Sequence, residues 1–157
     1  MKKLILIRHG EAIPKTTPIE DFDRDLTDTG KQQSAQMAAR LLNSIPTPNM
    51  FVSSPAIRAL NTAHIFAATF GFDEPVINPK IYEADAETLL KIVNQLNNDF
   101  EQVCLTGHNP GISNLLYYLT GKITTMATSA WAEIELNAEN WAKVSIGTGT
   151  LLQYQQP

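Results

Sequence analysis

The sequence predicts a three-layer α/β/α sandwich around a mixed, mostly parallel sheet. Three short apolar runs have the pattern of buried strands, namely Leu4–Ile7, Met50–Ser53 and Gln102–Thr106. Each run is followed by a polar loop and then by an amphipathic helical pattern, an alternation typical of parallel strands joined by helical crossovers. The first run is apolar on both faces, as a central strand covered by helices on both sides requires.

Apolar residues at helical spacing predict four helices, which form the two outer layers. The four stripes are Ala38, Leu41, Leu42 and Ile45; Ala59, Ala63, Phe66 and Phe70; Leu89, Val93 and Leu96; and Ile112, Leu115, Leu116 and Leu119. Thr27 is suited to cap the first helix, because its hydroxyl can accept from a free backbone N–H. Gly71 and Gly121 are expected to end the second and fourth helices.

The last part of the chain has a strand pattern without an intervening helix. Ala132, Ile134 and Leu136 alternate with more polar neighbours, and a second β-type run follows around Val144–Ile146. Two such runs close together predict an antiparallel hairpin added at the sheet edge.

Length and composition indicate one globular domain over residues 1–157. The 157 residues match one domain of ordinary size, and 43% hydrophobic residues are enough to form a core. The net charge of −4 argues against a nucleic-acid partner, which would require a basic surface. No long apolar face is left over after the helices are assigned, so we expect a monomer.

The cysteine count and the N-terminus indicate a cytoplasmic protein with no membrane partner. The chain has one cysteine, Cys104, which cannot form an internal disulfide. The apolar run Leu4–Ile7 is too short for the core of a signal peptide, which needs roughly 7–15 residues. No stretch approaches the roughly 20 apolar residues of a membrane helix.

Unusual polar residues follow each of the three predicted parallel strands. Because ligands bind beyond the carboxyl ends of such strands, we expect Arg8, His9, Arg58 and His108 to share one pocket. Two guanidinium groups in an otherwise acidic chain predict a small, highly charged anion such as a phosphoryl group. The same loops contain three glycines that we expect to let the backbone approach a ligand closely: Gly10, Gly107 and Gly111.

These residue types favour phosphoryl transfer without a metal or a cofactor. A histidine can act as the nucleophile, and arginines stabilise the charge on the phosphoryl oxygens. A cysteine phosphatase is excluded by spacing, since the required arginine position counted from Cys104 holds Pro110. No P-loop motif is present. His9 and His108 could ligate a metal, but the neighbouring arginines would repel a divalent cation.

Four stretches resemble motifs of the histidine phosphatase superfamily, which has the phosphoglycerate mutase-like fold. Leu4–Ala12 contains the Arg-His-Gly motif, and Arg24–Gly30, Ser53–Ala63 and Thr106–Gly111 resemble the motifs that follow it. The likeness extends over nearly the whole chain, to about Leu136. It is strongest to the small bacterial branch, the SixA-type phosphohistidine phosphatases.

The resemblance implies a role for each catalytic candidate. His9 takes up the phosphoryl group, while Arg8, Arg58 and His108 hold its oxygens, with His108 protonated or donating. Water then cleaves phospho-His9. The stretch between the motifs Ser53–Ala63 and Thr106–Gly111 is too short for the cap of larger relatives, which implies an open pocket.

Three further residues are candidates for binding substrate, namely Glu11, Arg24 and Asn109. Glu11 either orients Arg8 or His9 or is exposed. Arg24 lies with Lys15 in the loop after the first strand, where a charged side chain either contacts substrate or, as is more usual for a loop, is solvated.

The proton donor is left open between three carboxyl groups. Glu83 is similar in position to the acid of larger relatives, and Asp85 and Glu87 are the alternatives. An ester substrate needs such an acid to protonate the leaving alkoxide. The resemblance to SixA-type enzymes implies that the acid is dispensable for phosphohistidine, because imidazole is a better leaving group.

We therefore expect a metal-independent phosphatase that acts through a phosphohistidine intermediate, with phosphohistidine on a partner protein as its substrate. Two alternative functions involve a different substrate or ligand. One is a phosphatase of small phosphoesters, with a mutase less favoured because a single loop gives the phosphoenzyme little cover from water. The other is a module that binds phosphate or phosphoprotein without turnover, which would not require a histidine nucleophile.

Overall fold

The computed structural model describes residues 1–157, which form six strands and four α-helices. The strands are β1 (Lys2–Arg8), β2 (Met50–Ser53), β3 (Val76–Ile77), β4 (Gln102–Gly107), β5 (Trp131–Leu136) and β6 (Gly149–Gln155). The helices are α1 (Asp28–Leu42), α2 (Ile57–Thr69), α3 (Ala86–Asn94) and α4 (Gly111–Thr120). None of these helices is long and apolar enough to cross a membrane.

The six strands form one mixed sheet in the order β3-β2-β4-β1-β5-β6. The four strands from β3 to β1 are parallel, and β5 and β6 add to the β1 side as antiparallel strands. Arg8 lies opposite Gly107, and Ser53 lies opposite Thr106. The carboxyl ends of β1, β4 and β2 are therefore level, which brings the loops that follow them to one edge of the sheet.

Alternate residues of β1 pack against helices on opposite faces of the sheet, which confirms the three layers. Leu4 and Leu6 belong to a core formed with α3 and α4. Ile5 and Ile7 belong to a second core formed with α1 and α2. All four side chains are fully buried, and each contributes about 2 kcal/mol relative to leaving it in water.

The helix boundaries follow the capping residues that the sequence predicts. The Thr27 hydroxyl accepts a hydrogen bond from the Gly30 N–H at 3.0 Å, at the start of α1. Helix α4 ends directly before Gly121, whose φ of 73° lies in the left-handed region that favours glycine. Helix α3 is shorter than its apolar stripe and leaves Leu96 beyond its end.

The hairpin at the sheet edge is confirmed, but the position of its second strand is wrong. The predicted run Val144–Ile146 forms no strand, and β6 begins only at Gly149. Val144 is buried in the core formed with α3 and α4, whereas Ile146 is exposed. The chain turns at Gly147, which has a φ of 78°, so the predicted run leads into a turn, and only its first residue, Val144, packs on the core. The two-residue strand β3 was not predicted.

Candidate active site

The carboxyl ends of β1, β4 and β2 border a cavity of about 330 Å³. Its lining is almost entirely polar, with Ala12 as the one hydrophobic member. The lining residues are Arg8, His9, Glu11, Ala12, Lys15, Arg24, Arg58, His108, Asn109 and Thr128. All four catalytic candidates and all three substrate-binding candidates thus meet in one place, whereas Glu83 does not line this cavity.

His9 directly follows β1 and is buried, with 9% of its surface exposed. Its Nδ1 lies 2.8 Å from the Gly10 carbonyl oxygen. Because a carbonyl oxygen only accepts, Nδ1 carries the proton, and the lone pair remains on Nε2. Burial, and secondarily the charges of Arg58 and Arg8, lower the pKa of His9 to about 4. At neutral pH the ring is therefore an uncharged nucleophile.

His108 follows β4 and lies beside His9, with 5.2 Å between the ring centroids. Its Nε2 lies 2.8 Å from the hydroxyl oxygen of Ser54, which also accepts from the Ala56 N–H. The Ser54 hydroxyl is buried and has no other acceptor, so it donates to Nε2. The proton of the neutral His108 ring is consequently on Nδ1.

Of the two states expected for His108, protonated or donating, its surroundings favour the neutral donor before an anion binds. Burial, followed by the proximity of His9 and the charge of Arg58, lowers the pKa of His108 to about 3. The protonated form is therefore disfavoured before an anion binds. His108 offers a single N–H at Nδ1 as a neutral donor.

Arg8 and Arg58 are each tied to a backbone carbonyl through one terminal nitrogen. Arg8 Nη1 donates to Met126 O at 2.8 Å, and Arg58 Nη1 donates to Asp21 O at 2.7 Å. Both leave a buried Nε–H without a partner.

Three buried side-chain polar atoms in the chain have no hydrogen-bond partner: Arg8 Nε, Arg58 Nε and His108 Nδ1. Buried polar groups are nearly always satisfied, so an exception needs an explanation. Here all three belong to residues that line the same cavity. The three N–H groups are the donors that an anion's oxygens would satisfy.

Arg24 is buried, with 7% of its surface exposed. Its Nε and Nη2 donate to Asp21 Oδ1 at 3.1 and 3.0 Å, and its Nη1 donates to Ile13 O at 2.6 Å. The solvated interpretation of Arg24 is therefore wrong, because the loop after β1 folds its guanidinium into the site. Lys15 also lines the cavity, but it is exposed.

Asn109 and Glu11 both line the cavity and differ in what they contact. Asn109 Nδ2 donates at 3.0 Å to Met126 O, the same carbonyl that accepts from Arg8. Asn109 therefore helps to hold the acceptor that orients Arg8. The side chain of Glu11 is exposed and makes no hydrogen bond to Arg8 or His9, so its orienting role is not seen.

Residues 4–102 match the sequence model of the histidine phosphatase superfamily (branch 1). The chain belongs to this superfamily. A protein assigned as the phosphohistidine phosphatase SixA of Agrobacterium tumefaciens superposes with a TM-score of 0.83 at 23% identity, covering 99% of this chain and 98% of that one. The protein histidine phosphatase SixA complexed with tungstate also gives 0.83 at 23% identity, over 99% and 97% of the two chains.

The same histidine phosphatase fold occurs in a phosphatase whose substrate is a small molecule. The mycobacterial glucosyl-3-phosphoglycerate phosphatase complexed with VO3 superposes with a TM-score of 0.77 at 16% identity, over 100% of both chains. At such identities the likeness concerns the fold. Together with the family match, it confirms the predicted fold class and identifies the chain as a phosphatase.

Glu83 lies outside the cavity of this phosphatase, on an exposed segment before α3. Its φ of 56° is in the left-handed region, which is unusual for a residue with a side chain. Asp85 accepts from the Thr88 N–H at 2.8 Å and caps α3, while Glu87 pairs with Lys91 at 3.6 Å on the helix surface. The structure therefore brings none of the three proton-donor candidates into the lining.

Two of the three motif glycines, Gly10 and Gly111, pack tightly against other segments of the protein. A Cβ on Gly10 would lie 2.7 Å from the Ser34 hydroxyl oxygen. A Cβ on Gly111 would lie 2.1 Å from the Ala84 carbonyl oxygen. At these distances a Cβ would force its neighbours to shift, so both glycines let other protein segments approach the backbone closely.

Sequence reasoning did not identify several residues that shape the site. Asp21 binds both Arg24 and Arg58, and its spacing of three residues from Arg24 is the pattern that could have indicated an ion pair. Ser54 sets the tautomer of His108 through its hydroxyl group. Met126 contributes only its carbonyl oxygen, which residue type does not reveal.

Proposed function

We propose that this chain removes the phosphoryl group from phosphohistidine on a partner protein through a phospho-His9 intermediate. The observation that carries the proposal is the set of unpartnered N–H groups of Arg8, Arg58 and His108 around a neutral His9. Phosphoryl transfer is catalysed mainly by positioning and by stabilising charge on the oxygens. These three donors supply that stabilisation, and His9 Nε2 supplies the lone pair.

In the first step, His9 Nε2 attacks the phosphorus atom and forms a P–N bond. The P–N bond of the substrate breaks at the same time, and its electron pair stays on the departing imidazole. The second ring nitrogen of that imidazole takes a proton from solvent near neutral pH, so the ring leaves as a neutral molecule. The proton on His9 Nδ1 stays hydrogen-bonded to Gly10 O and stabilises the positive charge that develops on the ring.

In the second step, water attacks the phosphorus atom of phospho-His9. The P–N bond breaks, its electron pair returns to His9 Nε2, and inorganic phosphate forms with the loss of one proton from the attacking water. Arg8 and Arg58 hold the phosphoryl oxygens in both steps, so the same donors stabilise both transition states.

The lining of the cavity supports a substrate that is recognised mostly outside the pocket. Ala12 is the one hydrophobic residue there, so the cavity offers charge and hydrogen bonds to a phosphoryl group and little apolar surface to an organic molecule. Small-molecule sites are mostly apolar. A phosphorylated side chain projecting from another protein fits such a pocket, because the partner's surface supplies the remaining contacts.

The position of Glu83 supports phosphohistidine over a phosphoester. A carboxylic acid that donates a proton at neutral pH is normally buried, since burial raises its pKa. Glu83 is exposed and outside the lining, and Glu11 is in the lining but also exposed. A substrate whose leaving group takes its proton from solvent does not need this acid.

Phosphate release from a phosphohistidine-bearing protein and from p-nitrophenyl phosphate, measured side by side in EDTA, tests the proposal. His9→Ala serves as the blank for both substrates. We expect a strong preference for the phosphohistidine protein. A preference for the ester would indicate a phosphatase of small phosphoesters. No release from either substrate, combined with tight binding of phosphate, would indicate a module that binds without turnover.

A further inference from the structure

Asp21 lies in a single turn of 3-10 helix, Asp21–Asp23, within the loop between β1 and α1. Its carboxylate accepts from two arginines of the cavity and from a tyrosine. Oδ1 accepts from Arg24, and Oδ2 accepts from Arg58 Nη2 at 3.2 Å and from the Tyr82 hydroxyl at 2.7 Å. Its backbone oxygen accepts from Arg58 Nη1 at 2.7 Å. Asp21 itself does not line the cavity.

Both terminal nitrogens of Arg58 are therefore held by one residue. A guanidinium group is planar and rigid, so fixing Nη1 and Nη2 also fixes the direction of the Nε–H. That Nε–H is buried and has no partner. We infer that Asp21 is a positioning residue that sets Arg58 for binding the phosphoryl oxygens. The inference rests on the proposed function only in that the cavity binds a phosphoryl group or its analogue.

The carboxylate also separates positive charges that would otherwise repel one another. Arg24 and Arg58 both pair with Asp21, at 3.0 and 3.2 Å, and both are nearly buried. Burial raises the pKa of the Asp21 carboxyl, but the hydrogen bonds from Tyr82 and Arg24 and the charge of Arg58 lower it well below its usual value. Asp21 is therefore ionised at neutral pH.

Tyr82 donates to the same oxygen of Asp21, Oδ2, that accepts from Arg58 Nη2. Burial and the hydrogen bond to Asp21 raise the pKa of Tyr82 to about 12, so its hydroxyl remains a donor at neutral pH. Its ring lies edge-on to His108, with 5.7 Å between the ring centroids. Asp21 is thus held in place by a residue that also contacts the second histidine of the site.

A double-mutant cycle with tungstate as the anion tests whether Asp21 acts through Arg58. The four proteins are the wild type, Asp21→Ala, Arg58→Ala and the double variant. We expect Asp21→Ala to weaken tungstate binding, measured by calorimetry, about tenfold in the wild type and less than about twofold when Arg58 is already absent. Equal losses in the two backgrounds, or an unchanged affinity of Asp21→Ala, would overturn the inference.

Asp23→Asn is the matched control for charge. Asp23 is exposed on the same turn, has no ion pair and lies outside the lining, so its loss changes the net charge equally. We expect its tungstate affinity to stay within about twofold of the wild type. A loss as large as that of Asp21→Ala would mean that charge alone, and not the positioning of Arg58, sets the affinity.

A milder variant keeps the test decisive if Asp21→Ala does not fold. Tyr82→Phe removes only the hydroxyl bonded to Asp21 Oδ2, and we expect a smaller loss of affinity that also disappears when Arg58 is absent. A loss that persists without Arg58 contradicts the inference. Because tungstate binding needs no turnover, the coupling can hold even if the proposed hydrolysis fails.

Discussion

Lowering the pH should destabilise the folded chain through His9 before any carboxylate is affected. The pKa of His9 is about 4 in the fold against an ordinary value of 6.5, because the ring is buried. Between about pH 7 and pH 5 the unfolded chain binds a proton at this position and the folded chain does not. The free energy of unfolding therefore decreases as the pH is lowered. Proton linkage gives a decrease of about 2 kcal/mol between pH 7 and pH 5. Carboxylates with lowered pKa values lose stability only at more acidic pH.

Urea denaturation of the wild type and of His9→Gln at about pH 7 and pH 5 measures the contribution of His9 to this loss of stability. The variant lacks the titrating ring, so the wild type should lose about 2 kcal/mol more than the variant between the two conditions. His108 is present in both proteins, and its pKa is lowered mainly by burial, which the substitution leaves in place, so most of its contribution cancels in the comparison. Equal losses in the two proteins would refute the assignment of His9 as a buried neutral ring.

Three further predictions concern the chemistry. His9→Ala should reduce phosphate release to the rate measured without enzyme, and activity near wild type would exclude His9 as the nucleophile. The same variant should keep its fold and its tungstate affinity, measured by calorimetry, because Arg8 and Arg58 keep their donors. EDTA should not change the rate of phosphate release, because guanidinium groups supply the charge that a metal would otherwise provide, and inactivation would point to a bound metal. Glu83→Gln should hydrolyse phosphohistidine at a rate within about twofold of the wild type, because Glu83 lies outside the cavity. A larger loss of rate in that assay would indicate that Glu83 is the proton donor.

The sheet and the cluster of catalytic candidates could be predicted because both follow from short patterns and one topological rule. An apolar run such as Leu4–Ile7 indicates a buried strand wherever it lies in the chain. Once three such strands are parallel, the polar residues after each of them must share one edge. His9 and His108 therefore come together without any knowledge of the loops.

What the sequence did not reveal depends on contacts that only the folded chain forms. The tautomer of His108 is set by the hydroxyl of Ser54, which is 54 residues away along the chain. Arg24 is buried because a carboxylate and a carbonyl meet it inside the folded loop. Gly111 is required by the Ala84 carbonyl, not by a ligand. In each case residue type shows which bonds a group can form, and only the fold shows which partner is within reach.

The central claim is that His9 carries the phosphoryl group during turnover. Rapid quenching of the enzyme with a radiolabelled phosphohistidine protein, followed by mass spectrometry of the chain, tests it most directly. The account predicts one acid-labile phosphoryl group, located on His9, which appears before inorganic phosphate and is absent from His9→Ala. Phosphate release without any labelled enzyme, or a label on another residue, would contradict it.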